Sequence, residues 1–225
     1  MAKNNLSKHQ STLLIASALA LLVWSLPIAR WLVVPLIYLN TILHEISHAV
    51  VTLATGGQVA QIRIFADGSG VTLTQGGWLV FITAAGYIGA TLMGGAMVYF
   101  ARTPVGARRV LTTLACVVGG ALVLWIRGDA VGMVAAITWT LGLGLAAANL
   151  SDDGARTLAQ FLGIAQCLAS AQAFLVLLQL TASANVQNDA GILAQRTFIP
   201  ATVWALAWAL LSLVVLVVTL RHAWK

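Results

Sequence analysis

Seven apolar runs of about 20 residues account for most of this chain, at 11–27, 31–55, 78–101, 109–126, 130–150, 158–180 and 199–220. A run of that length is what an α-helix needs to cross the roughly 30 Å hydrocarbon core of a bilayer. The breaks between runs carry helix-ending or polar residues: Pro27 to Arg30, Arg102 to Arg109 around Pro104, Arg127-Gly128-Asp129, Ser151 to Arg156, and Thr181 to Thr197. Only 8 % of the 225 residues are charged and 60 % are hydrophobic. A soluble domain keeps about 25 % charged residues to clothe its surface. A soluble enzyme, a disordered chain and a fibrous repeat are therefore excluded. The expectation is a single all-α polytopic membrane domain over residues 1–225, with about six to seven transmembrane helices. Lys3 and Lys8 precede the first run, but no small-x-small cleavage site closes it and more spans follow. It reads as an uncleaved span, not a signal peptide.

The net charge of +6 comes from scattered basic residues that flank the runs, among them Lys3, Lys8, Arg102, Arg108, Arg109, Arg221 and Lys225. That placement suits lipid headgroups as partners. No basic stripe interleaved with aromatics appears, so nucleic acid is not expected as a partner. Seven alternating spans put the N-terminus, the 56–77 segment, the 127–129 turn and the 181–197 stretch on one side. Five basic residues (Lys3, Lys8, Arg63, Arg127, Arg196) then face seven, and the tally does not orient the protein. Cys116 and Cys167 lie inside apolar runs without CxxC spacing and read as packing residues. Gly86, Gly89, Ala90, Gly94 and Gly95 are spaced for close helix–helix approach.

One connection does not read as a helix. From Gly56 the sequence is GGQVAQIRIFADGSGVTLTQGG, with β-branched residues near alternation on both sides of Asp67-Gly68-Ser69-Gly70. This predicts a β-hairpin over 57–75. Two strands alone are marginal in water, so the ribbon is expected to lean on the membrane surface or on the bundle. It is either a connector or an edge strand that captures an extended peptide.

Within the second run stands His44-Glu45-Ile46-Ser47-His48. Residues four apart share one face of a helix, so both imidazoles can aim at one metal ion. Glu45, one step round, reaches a water on that metal and can take its proton. At this composition the pattern arises by chance about 0.0003 times per chain. The chain's only Glu and two of its four His fall within these five positions. Ionisable groups in an apolar helix are costly and call for a functional reason. At about 1.5 Å per residue the pair lies roughly 12–18 Å from the hairpin end of its helix, inside the membrane. Asn40, Thr41 and Thr52 are a turn away and read as ordinary helix–helix hydrogen-bonding residues.

Catalytic zinc takes three protein ligands and a water. A second Glu is impossible, and Val51 occupies the Gly position of HExxHxxGxxH, so that extended motif is absent. His9 and His222 lie in the terminal tails. Of the five Asp, Asp67 belongs to a hairpin turn and Asp129 sits beside Arg127 in another. Asp189 and the pair Asp152 and Asp153 stay open as the third ligand.

An HExxH helix followed at once by a β-hairpin resembles the site-2 protease family of intramembrane zinc metalloproteases, and specifically a short, minimal bacterial branch of it. The resemblance rests on HEISHAVVTLATGGQVAQIRIFADGSGVT, on TAAGYIGA after the hairpin, and on NDAGILAQRTFIPATVWALAW late in the chain. Together these cover a little over a quarter of the sequence. The resemblance implies Zn²⁺ held by His44, His48 and an Asp from a later segment, with Glu45 as general base. It also implies a membrane-spanning protein or peptide as substrate, and a multi-pass protein of the bacterial plasma membrane. The family's Asp sits in a Leu-Asp-Gly motif, whereas this chain reads Asn188-Asp189-Ala190-Gly191 and Asp152-Asp153-Gly154. The late segment favours Asp189. An unbroken helix from Asp189 to Arg221 would be about 48 Å long and would carry Asp189 out of the hydrocarbon. If Asp189 binds the metal, residues 186–197 must dip back into the bundle, with a bend near Pro200. Two other classes remain: a non-proteolytic scaffold or regulator that keeps the metal site, and a transporter, for which internal repeats are not visible.

Overall fold

A computed structural model describes residues 7–25, 30–181 and 188–225, with side chains described for 7–23, 33–169 and 188–225. Its described residues form eight helices and one hairpin: α1 (Lys8–Ser25), α2 (Arg30–Ala54), β1 (Gln58–Ile64), β2 (Gly70–Gln75), α3 (Leu79–Phe100), α4 (Pro104–Leu124), α5 (Ala130–Asn149), α6 (Asp152–Thr181), α7 (Asp189–Thr197) and α8 (Ala201–Trp224). Five of them are long and apolar enough to cross a membrane: Val33–Ala54 within α2, and α3, α4, α5 and α8. The all-α polytopic class with a small hairpin after the HExxH helix is borne out.

Local chemistry sets the helix starts. Thr103 accepts a hydrogen bond from Gly106 N (3.0 Å), and Pro104 opens α4. Asp129 caps α5 by accepting from Val131 N at 2.9 Å, and Asn188 caps α7 by accepting from Gly191 N at 2.9 Å. At the other end of α7, Phe198 takes a left-handed conformation and Pro200 precedes α8. The chain thus reverses between α7 and α8, as the length argument requires.

β1 and β2 pair antiparallel, Ile64 opposite Gly70 and Gln58 opposite Gln75, with a bulge between Val59 and Gln61. The hairpin lies along α2, not on the membrane surface. Gly57 N donates to Thr52 O (2.8 Å), Thr41 Oγ1 to Gly68 O (2.7 Å) and Tyr38 OH to Ala66 O (2.9 Å), and Thr72 Oγ1 lies 3.0 Å from Glu45 O. Those contacts run from Thr52 back to Tyr38, about 21 Å along the helix. Ile62 and Ile64 are fully buried in the core beside α4 and α5.

One expectation is corrected. Alternating spans placed the N-terminus on the hairpin side. Instead, Gln10 Nε2 donates to Trp224 O (3.2 Å), His9 bonds Ala223 O, and Gln160 Nε2 donates to His9 Nδ1 (3.4 Å) and to Ala101 O (3.4 Å). The start of α1 therefore lies with the ends of α3 and α8, away from the hairpin. Leu13, Ala16 and Ala20 pack there with Ile164, Cys167 and Leu216. Hydropathy counts apolar runs but carries no direction, so it could not reveal this.

Candidate metal centre

The helical pitch of α2 puts His44 and His48 on one face, and α7 brings the third group. His44 Nε2 lies 3.0 Å from His48 Nε2 and 3.0 Å from Asp189 Oδ2, and His48 Nε2 lies 3.3 Å from the same oxygen. The triangle fits a tetrahedral zinc ion. Bonds of about 2.0–2.1 Å place two ligands of a tetrahedron roughly 3.3 Å apart.

Proton positions support the same fit. His48 Nδ1 donates to Ile82 O at 2.6 Å. A neutral imidazole has one N–H, so the His48 Nε2 lone pair is turned to the cluster. A lone pair and a carboxylate facing one another are mutually repulsive unless a cation or a proton lies between them. A backbone carbonyl fixing the far nitrogen is the usual support of a metal-binding His.

Three elements hold the triangle. On α3, Gly86 leaves room for both imidazoles, since a Cβ there would stand 2.6 Å from His48 Nε2 and closer still to His44. The Tyr87 ring meets His44 edge-on at 4.7 Å and stacks on Trp208 of α8 at 4.9 Å. On α7, Ala190 and Leu193 pack against Ala205 and Trp208, which seats Asp189 at the helix start. His44 and Asp189 keep 17 % and 19 % of their side-chain exposure, so the cluster faces an opening.

Glu45 is only 4 % exposed and its carboxylate is held by β2: Thr72 Oγ1 lies 2.6 Å from Glu45 Oε2. On the other side of the ribbon, Ile62 N donates to Trp125 O (2.8 Å) and Arg127 N to Ile62 O (3.2 Å). With both Ile62 backbone groups turned away from β2, its opposite residue Thr72 directs its own N–H and C=O to the outer edge of β2.

The other candidates lie elsewhere. Asp152 pairs with Arg108 Nη2 at 3.1 Å, and Asp153 pairs with Arg156 within the first turn of α6. Asp67 accepts from Ser69 Oγ (2.6 Å) and Ser69 N (2.9 Å), and these bonds hold its carboxyl below the ordinary carboxylate range. His222 bonds Val218 O within its own helix. Asn40 accepts from Gln166 Nε2 at 2.8 Å, and Thr52 donates to His48 O, so neither enters the cluster. Among the described residues, His44, His48 and Asp189 are the group of His, Cys, Asp and Glu arranged to hold a metal ion.

A protein-family model described as Peptidase M50B-like matches residues 12–219. The chain belongs to that family. The match runs from α1 to α8 and includes every residue of the cluster, so the Peptidase M50B-like chain is a member of the site-2 protease family and an integral membrane protein. Members of this family are membrane metallopeptidases. No curated protein and no solved structure matches the chain. Sequence reasoning missed Thr72, the Ile82 carbonyl and the steric role of Gly86. Thr72 and Gly86 were within quoted segments, but their partners depend on how the hairpin and α3 slide along α2.

Proposed function

We propose that this M50B-like protein is an intramembrane zinc metalloendopeptidase of the bacterial plasma membrane, cleaving peptide bonds in membrane-embedded protein segments. One observation carries the reading: His44 Nε2, His48 Nε2 and Asp189 Oδ2 converge within 3.3 Å of one another beside the buried Glu45. These three residues would hold Zn²⁺. Such an ion acts as a Lewis acid that polarises a carbonyl and lowers the pKa of water. Glu45 acts as general base on the attacking water and then returns the proton to the leaving amine. The Thr72 hydroxyl, bonded to Oε2, and the bare backbone of Gly70, which leaves room for Oε1, together position the carboxylate.

A peptide bond inside a helix is hidden and its carbonyl is already bonded, so the substrate must unwind before it is cut. The outer edge of β2 supports this step. Its Thr72 backbone groups stand ready to pair with an extended segment, while its side chain holds the general base. The hairpin over 57–75 is then the substrate-binding part of a single domain.

The test compares wild type with Glu45→Gln, both purified with full metal content, on candidate single-span membrane substrates. Cleavage by wild type and its loss by at least about 100-fold in the variant is expected. Equal cleavage by both forms would overturn the role of Glu45. Stoichiometric metal with no cleavage by either form, across a panel of membrane segments, would favour a metal-bearing scaffold.

A further inference from the structure

About 22 Å along α3 from Gly86, α3 and α4 share the Ala101–Thr103 turn but then part company. α3 packs on α2, α6 and α8, whereas α4 packs mainly on α5 and α6. The wedge between them is a cavity of about 660 Å³. That lies within the roughly 300–1,000 Å³ that holds a small amphiphilic ligand.

Its two ends differ in chemistry. Deep in the wedge the walls are Met93, Met97, Leu114 and Val117. At the turn stand Arg102 and Arg109. Met93 is nine residues before Arg102 and Val117 eight residues beyond Arg109, so the apolar and basic ends are about 12–14 Å apart along the helices. Both helices are candidate spans that end or begin at this turn, which places the arginines at a membrane–water interface. Tyr99 and the largely exposed Phe100 mark the same level as interfacial aromatics.

The charges at this end are not all neutralised. Arg108 pairs with Asp152 and Arg156 with Asp153. Among the described residues Arg102 donates to the carbonyls of Tyr99 (2.9 Å) and His222 (3.3 Å) and lies over the Tyr99 ring at 4.0 Å. Arg109 is exposed, and among the described residues no carboxylate pairs with either Arg102 or Arg109. Two uncompensated guanidiniums above an apolar cleft match an anion that carries its own hydrocarbon.

We propose that the α3–α4 wedge is a binding site for an anionic glycerophospholipid, its phosphate on Arg102 and Arg109 and one acyl chain along Met93, Met97, Leu114 and Val117. The site lies outside the catalytic machinery and does not rest on the peptidase reading.

Native mass spectrometry of the full detergent-solubilised chain tests this, with phosphatidylglycerol and phosphatidylcholine of equal acyl length in competition. Wild type should retain phosphatidylglycerol preferentially. Arg109→Gln should reduce that preference about fivefold, and Arg109→Lys by less. Val117→Trp fills the wedge without altering a charge and should reduce retention too. Arg127→Gln, at the hairpin end, should change nothing. Inorganic phosphate should not displace the lipid; displacement would mean an ion site without an acyl subsite. Equal retention of the two lipids by wild type, or full preference in both Arg109→Gln and Val117→Trp, would overturn the proposal.

Discussion

Replacing Gly86 by Ala adds a single methyl group, yet the structure assigns it a severe and selective effect. The new Cβ would stand 2.6 Å from His48 Nε2, where ordinary contact begins at 3.4 Å. The imidazole must therefore retreat by about 0.8 Å, and His44 by more. A metal site tolerates ligand displacements of roughly 0.2 Å. Neither ring has room to yield, because His48 is tied to Ile82 O at 2.6 Å and His44 is flanked by the Tyr87 ring. The fold itself changes little in stability. Ala in a helix interior gains about 1 kcal/mol over Gly, and overpacking by one methyl costs about 1–3 kcal/mol. The net cost is about 0–2 kcal/mol, so most of the damage falls on the metal. Gly86→Ala purified in detergent should keep its helical circular dichroism and most of its thermal stability. Its metal affinity, read as bound metal by plasma mass spectrometry over a metal titration, should fall about 10–100-fold. A Gly86→Ala protein that holds metal with wild-type affinity would show that the imidazoles do not sit where the structure has them.

Three further outcomes follow from the same geometry. Asp189→Asn should lose bound metal, while Asp152→Asn and Asp153→Asn should keep it, because those carboxylates are engaged by Arg108 and Arg156; metal retention in Asp189→Asn would remove Asp189 from the ligand set. Thr72→Val should leave metal content unchanged and slow cleavage about 10–100-fold through loss of the hydrogen bond to Glu45, with Thr72→Ser restoring most of it; an unaffected rate would mean that the carboxylate is positioned by other contacts. Dialysis against a chelator should abolish cleavage, and added Zn²⁺ should restore it; activity that survives complete metal removal would end the metallopeptidase reading.

How much of this was legible beforehand depends on the range of the interaction. The HExxH pair is read from five residues of one helix, where the pitch alone dictates the shared face. Strand alternation around Asp67-Gly68 is equally local, and so the hairpin was visible. The reversal at Pro200 followed from length, since a straight helix from Asp189 would overshoot the bilayer. Asp189 itself is 145 positions from His44, and no periodicity links them. Its short helix was not foreseen because Asp189–Thr197 has too few apolar residues to announce itself. The depth of the hairpin escaped for a related reason. Its placement is set by Tyr38, Thr41 and Thr72 bonding across elements, and each is an unremarkable polar residue when read alone. The direction of α1 is likewise decided by contacts of His9 and Gln10 with the far end of the chain.

That hairpin depth also bears on why a peptidase would keep β-structure within its bundle. Backbone groups at membrane level cost several kcal/mol each when they lack partners. β1 meets the requirement through β2 and, at Ile62, through the Trp125 and Arg127 backbone. Among the described residues no backbone group pairs with Thr72 at the outer edge of β2, which lies beside Glu45. An open edge can persist only where water reaches it, and hydrolysis needs water at that same place. On the proposed reading, a membrane segment unwinding there would expose N–H and C=O groups at the same cost, and the β2 edge would offer the partners they lack. On that reading, one open strand edge would both admit water and offset the cost of unfolding the substrate.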